Sequence, residues 1–139
     1  MDEKGYVRIT DLGIARHMAS ENSQETSGTP GYMAPEVMCR QNHGVGVDYY
    51  AVGVIWYEFM MSKRPYLGRT RKDIRDAIFA KQIKIRKDNI PDNWSKEAAD
   101  FINKLIERKP TNRLGNDGPE EVKQHKWLKG VDWNKLIDK

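Results

Sequence analysis

The stretch GTPGYMAPE, residues 28–36, separates two parts of the chain that differ in character. Residues 17–31, which run into its first half, are rich in Ser, Thr, Glu, Gly and Asn and lack hydrophobic periodicity, which predicts a loop. A loop of that length favours function over mere connection. After it the pattern turns helical. The organisation to be explained is a loop held against a helical body.

Four helices are predicted downstream. Asp48 is a good N-cap for a helix running to about Ser62. Thr70-Arg71-Lys72-Asp73 is a capping box that opens a helix through about Lys81. Ser95 caps a third, whose Ala98, Phe101, Ile102, Leu105 and Ile106 form an amphipathic stripe. Pro119 suits the first turn of a short fourth helix, with Glu120 and Glu121 favourably placed against its dipole. Trp127 and Trp133 are expected to pack back on the body. Upstream, residues 2–5 read as a turn and the alternation in 6–10 as a strand without its hairpin partner. The expected fold is one mainly α domain with a short β edge at its N-terminus.

Bulk properties exclude several classes. The chain has 139 residues, 38% hydrophobic and 32% charged, which fits a globular domain. No apolar run approaches the roughly 20 residues that span a bilayer. The longest, residues 51–61, contains Glu58. The first ten residues include Asp2, Glu3, Lys4 and Arg8 and show no signal-peptide pattern. Cys39 is the single cysteine, so an intrachain disulfide is excluded, in accord with a reducing, cytoplasmic setting. His17, His43 and His125 are isolated and show no zinc spacing; each reads as a surface or packing residue.

The net charge of +4 is uneven. Residues 63–87 hold ten Lys/Arg against Asp73 and Asp76, a local +8, so the remainder sums to −4. Such a block is either a solvated face or a surface for phosphates and acidic partners. No nucleic-acid-binding motif accompanies it, and no nucleic-acid partner is expected.

Four pieces now stand in order: DLG at 11–13, GTPGYMAPE at 28–36, DYYAVGVIWYE at 48–58 and RKPTNRLG at 108–115. In that order and spacing the chain resembles the C-terminal lobe of a eukaryotic Ser/Thr protein kinase. Tyr49-Tyr50 after Asp48, the NRLG of 112–115 and the ending HKWLKGVDWNKL narrow the resemblance to the AGC group, similar to cyclic-nucleotide-dependent kinases. It implies a partial kinase domain over 1–139, with an activation segment at 11–36, a helical subdomain at 47–128 and the start of a C-terminal tail at 129–139.

The resemblance also implies roles. Asp11 matches the carboxylate that holds Mg²⁺ between ATP phosphates, which suits a reaction dominated by positioning and charge neutralisation. Gly13 is expected to let the backbone turn sharply behind it. Leu12 stands where the family usually has Phe, and is expected to pack beneath the site. Thr29 and Pro30 match the loop that seats the residue after the phosphoacceptor; a loop threonine with a local hydrogen bond is the alternative. Glu36 and Arg113 match a buried ion pair that ties this loop to the helical body. Asp48 matches a residue that caps its helix and holds the catalytic loop. Glu58 matches a carboxylate that contacts arginine in basic substrates, or else makes a local ion pair. A second family carboxylate for that task falls at Gly31 and is absent.

Regulation is implied in the loop. The family's phosphothreonine position is Glu25 here. A carboxylate carries −1 where phosphothreonine carries about −1.5 to −2, so Glu25 could partly replace it opposite Arg16. Thr26 and Ser27 are adjacent phosphorylation candidates.

The Gly-rich loop, strand lysine and base-bearing catalytic loop of the family precede the Asp11 triplet, and residues 1–10 do not supply them. The expectation is therefore a kinase part without the N-lobe and without a catalytic base in this chain. It would be inactive alone and would require a missing N-lobe or regulatory partner, ATP, Mg²⁺ and a protein substrate. The alternative is a non-catalytic kinase-like docking module that uses the activation segment and the basic 63–87 face.

Overall fold

An apolar helix with glycine at a crossing point can approach a neighbour more closely than ordinary side chains permit, and this sets the centre of the fold. The computed structural model describes residues 1–17, 21, 22, 24 and 26–138, with the backbone alone at residue 138. Among them are six α-helices: α1 (Pro35–Met38), α2 (Gly46–Met61), α3 (Arg71–Ala80), α4 (Lys96–Leu105), α5 (Pro119–Lys123) and α6 (Trp133–Asp138). Helix α2 buries Tyr50, Val54, Tyr57 and Met60. It packs on α4, whose Ala98, Phe101, Ile102 and Leu105 are buried as the stripe predicts. A Cβ on Gly53 would lie 2.6 Å from Leu105 Cβ, so the contact requires glycine there.

The caps of α3 and α4 are those expected. Thr70 Oγ1 accepts from Asp73 N at 3.1 Å, and Asp73 Oδ2 accepts from Thr70 N at 2.9 Å. Ser95 Oγ accepts from Ala98 N at 3.0 Å. The far end of α3 is closed from a distance: Arg108 Nη1 donates to the Ile78 and Phe79 carbonyls at 2.8 and 3.1 Å. A guanidinium there satisfies orphan carbonyls and opposes the negative end of the helix dipole. Pro119 opens α5, and Glu121 accepts from Gly115 N at 2.7 Å.

Trp127 packs back as expected, with its ring centroid 4.9 Å from Trp56, 5.1 Å from Phe101 and 6.2 Å from Trp94. Trp133 is half-buried. His125 is a packing histidine. Trp127 N donates to its Nδ1, which leaves Nε2 to donate to Asp100 Oδ2 at 3.0 Å.

Two expectations differ from the structure. Asp48 is not the N-cap of α2. Val45 takes that position without a side-chain bond, and Asp48 N donates to Val45 O at 3.1 Å, inside the first turn. The helix starts early because Gly46 is buried beside Arg113, whose Nη1 donates to the Gly46 carbonyl at 3.0 Å. Asp48 still faces the positive end of the dipole. The β edge at 6–10 does not form either. The turn exists, with Asp2 N donating to Tyr6 O at 2.8 Å and Gly5 N to Asp2 O at 3.0 Å. No strand among the described residues pairs with 6–10, and an isolated strand leaves its backbone groups to water.

Candidate functional site

Proline at the first position of α1 pre-sets the helical φ, and Glu36 follows it into the first turn. Its carboxylate meets Arg113 in a two-pronged pair: Arg113 Nη1 donates to Oε1 at 2.6 Å and Nη2 to Oε2 at 2.9 Å. Glu36 is 4% exposed and Arg113 1%. The same guanidinium donates to the Glu107, Arg108 and Gly46 carbonyls and lies 5.0 Å over the Tyr50 ring. Every donor direction of a planar fork is used, which is the condition for a buried charge to be tolerated. The expected pair is therefore present, and it fastens α1 to the start of α2 and to the 107–113 segment.

Immediately before α1 the chain turns. Tyr32 N donates to Thr29 O at 3.0 Å and Met33 N to Pro30 O at 3.4 Å. Tyr32 then reaches α2: its hydroxyl donates to Glu58 Oε2 at 2.7 Å. Arg64 completes the group, with Nε 4.0 Å from Glu58 Oε1 and Cζ 5.8 Å from the Tyr32 ring centroid. The hydrogen bond to Glu58, with burial second, pushes the Tyr32 phenol above its ordinary value. Gly31 lies against Arg64: a Cβ there would overlap Nη1 and lie 3.1 Å from Cζ. Tyr32 thus ties the turn that contains Thr29 and Pro30 to Glu58 on α2. Glu58 has a local partner and is also half-exposed.

The DLG stretch is placed differently. Leu12–Ile14 form a 3-10 turn, and the left-handed residue is Asp11, with φ 57° and ψ 61°. Gly13, expected to provide the sharp turn, has no positive φ. Aspartate is among the few residues that enter the left-handed region readily, so it bends the chain itself. Leu12 is 66% exposed rather than packed beneath the site. Ile14 approaches the 28–36 stretch: its Cδ1 lies 3.9 Å from where a Gly28 Cβ would stand. Asp11 is exposed.

Of the regulatory candidates, Glu25 lies outside the described residues. Arg16 Nη1 donates to the Ala15 carbonyl at 2.9 Å. Ser27 is exposed, and the Thr26 carbonyl accepts from Arg71 Nη1 at 3.5 Å. This bond joins the loop to the basic block on α3. Further back, His43 N donates to Asn22 Oδ1 at 2.8 Å, and Asn22 N to Asn42 Oδ1 at 3.0 Å.

Among the described residues no group of three His, Cys, Asp or Glu could hold a metal by itself. Asp11 supplies one exposed hard oxygen donor. That fits Mg²⁺, which is commonly held by one or two carboxylates together with phosphate oxygens and water.

Sequence reasoning missed Tyr32, Arg64 and Arg108. Tyr32 lies inside the deciding stretch, but no periodicity or spacing connects position 64 to Glu58, or 108 to the end of α3.

The protein kinase domain family matches residues 1–128. The chain is similar to a cAMP-dependent protein kinase catalytic subunit-like protein of Caenorhabditis elegans, 35% identical over 139 residues, 99% of this chain and 33% of the relative. It is similar to the serine/threonine-protein kinase AtPK1/AtPK6 of Arabidopsis thaliana, 39% identical over 140 residues, 98% of this chain and 29% of the relative. It is also similar to ribosomal protein S6 kinase alpha-1 of Homo sapiens, 35% identical over 140 residues, 98% of this chain and 18% of the relative. These relatives are kinases of the AGC group, as the sequence resemblance implied. The chain spans about a third or less of their length.

Proposed function

The chain belongs to the protein kinase domain family, and from that premise we propose that it is the helical-lobe part of a Ser/Thr protein kinase. The whole protein transfers the γ-phosphoryl group of ATP to Ser or Thr hydroxyls of a protein substrate. In this reading residues 11–36 are the activation segment, 47–128 the helical subdomain and 129–139 the start of the tail.

The observation that carries the reading is the buried Glu36–Arg113 pair, which fixes the 29–32 turn against α2. A substrate backbone needs a rigid shelf, because misplacement by an ångström is costly in a reaction that works by positioning. Thr29 and Pro30 form that shelf, and Glu58 faces the substrate's side chains. Asp11 would hold Mg²⁺, which would supply charge neutralisation of the transferring phosphoryl group. Glu25, or phosphate on Thr26 or Ser27, orders the loop through Arg16. Among the described residues no helix is long and apolar enough to cross a membrane, and a cytoplasmic setting is proposed.

The test uses the whole protein that carries this chain. With ATP and Mg²⁺ it phosphorylates Ser/Thr peptides, and Asp11→Asn lowers kcat by about 100-fold or more, the scale of losing one electrostatic stabiliser. A folded protein that transfers no phosphate under any activation would instead support a docking module.

A further inference from the structure

The Glu58 carboxylate is met from two sides by groups of its own chain. Tyr32 donates to one oxygen at 2.7 Å, and Arg64 Nε stands 4.0 Å from the other. The guanidinium is oriented further by the Tyr32 ring, 5.8 Å away. It lies in space left open by Gly31, where any Cβ would overlap Nη1. Gly31 has no positive φ, so its backbone does not require glycine. The space it leaves is what Arg64 uses.

We propose that Arg64 is a built-in occupant of the Glu58 subsite, and that it sets specificity by directing the protein toward substrates without a basic residue there. This rests on the reading of the 29–32 turn and Glu58 as a substrate surface. Glu58 is one carboxylate with two oxygens, already engaged by a phenol and a guanidinium. An incoming arginine must displace Arg64 or share its partner, and like charges at close range repel. The guanidinium is half-exposed, so the effect is graded rather than absolute. Tyr32 contributes by holding the carboxylate in place.

The geometry supplies two independent ways to vacate the subsite. Arg64→Ala removes the guanidinium. Gly31→Ala keeps it but evicts it, because the clashing atom is the far end of a flexible side chain. The experiment titrates the whole protein that carries this chain with acetyl-Gly-Arg-Gly-Ser-Gly-amide and with its Arg→Gln counterpart. Amide shifts at residues 28–36 and 58 are followed by NMR. The native chain binds the two peptides equally, within about twofold. Arg64→Ala and Gly31→Ala each favour the arginine peptide by about fivefold, the scale of a half-exposed ion pair. Glu58→Gln in the Arg64→Ala background abolishes that preference. The proposal is overturned if the native chain already prefers the arginine peptide as strongly as the variants, or if neither variant gains a preference. Binding is read without phosphoryl transfer, so a failure of the kinase reading leaves this result interpretable.

Discussion

Arg113 lays both terminal nitrogens on the two carboxylate oxygens of Glu36, at 2.6 and 2.9 Å, across 77 positions of sequence. Neither residue sees solvent to any useful degree. The pair joins the segment that carries the 29–32 turn to the helical body. It is a structural connection on which the proposed substrate surface depends.

Arg113→Ala should cost about 3–5 kcal/mol, because Glu36 is left as an uncompensated buried charge. Arg113→Lys should also be poorly tolerated, since an ammonium cannot reproduce the planar fork. The double change Glu36→Leu/Arg113→Met should be less destabilising than either single loss. Urea denaturation of these three variants and of Glu36→Leu alone checks this, and a loss below about 1 kcal/mol for Arg113→Ala would contradict it.

Gly53→Ala tests the close approach of α2 and α4. On propensity alone alanine stabilises a helix interior by about 1 kcal/mol. Here the added methyl would lie 2.6 Å from Leu105 Cβ and 3.1 Å from the Ile106 nitrogen. Overpacking of about 1–3 kcal/mol should win, giving a net loss of stability in thermal melts. A raised Tm would refute the packing argument.

Thr70→Ala removes one half of the capping box on α3. The expected cost is about 1 kcal/mol. The effect should be local, with faster amide exchange at Asp73 and Ile74 and unchanged protection in α4. Loss of protection throughout the chain would show that α3 is not an independent edge of the fold.

Alkaline pH should destabilise the protein. Burial, the largest cause at each, pushes the Tyr50, Tyr57 and Tyr66 phenols above their ordinary 10.0. Tyr50 is shifted furthest. The folded state keeps these protons where the unfolded chain releases them. The stability they contribute is complete below pH 10.0 and falls as pH rises above it. Urea midpoints measured from about pH 8 to about pH 11 should decline, and Tyr50→Phe should flatten the slope. A midpoint independent of pH would contradict the assignment.

The parts of the fold that were legible in the sequence are those decided locally. Thr70 with Asp73, Ser95 with Ala98, and the stripe of α4 are contacts within one turn or one face, and spacing encodes them directly. The early start of α2 was not legible, because an arginine 67 positions away fixes the Gly46 carbonyl. Residues 6–10 have the alternation of a strand, but alternation describes faces and does not supply a partner. At the candidate site, Glu36 and Arg113 were found through resemblance to a family, and the structure supplies the geometry. Gly31 was read as a missing carboxylate, whereas in space it is the gap that Arg64 enters. A single sequence does not mark which long side chain will fill a hole.

The tryptophans have a practical consequence for spectroscopy. Of the four in the chain, Trp56, Trp94 and Trp127 share one aromatic cluster where the 126–128 turn closes on α2. Their emission therefore reports mainly on one small region. Undocking of the 126–128 turn would alter most of the signal at once. Melting of α3, or a rearrangement around Glu58 and Arg64, would leave it almost dark. Intrinsic fluorescence followed alone would record closure of the 126–128 turn and miss events at the face proposed to receive a substrate.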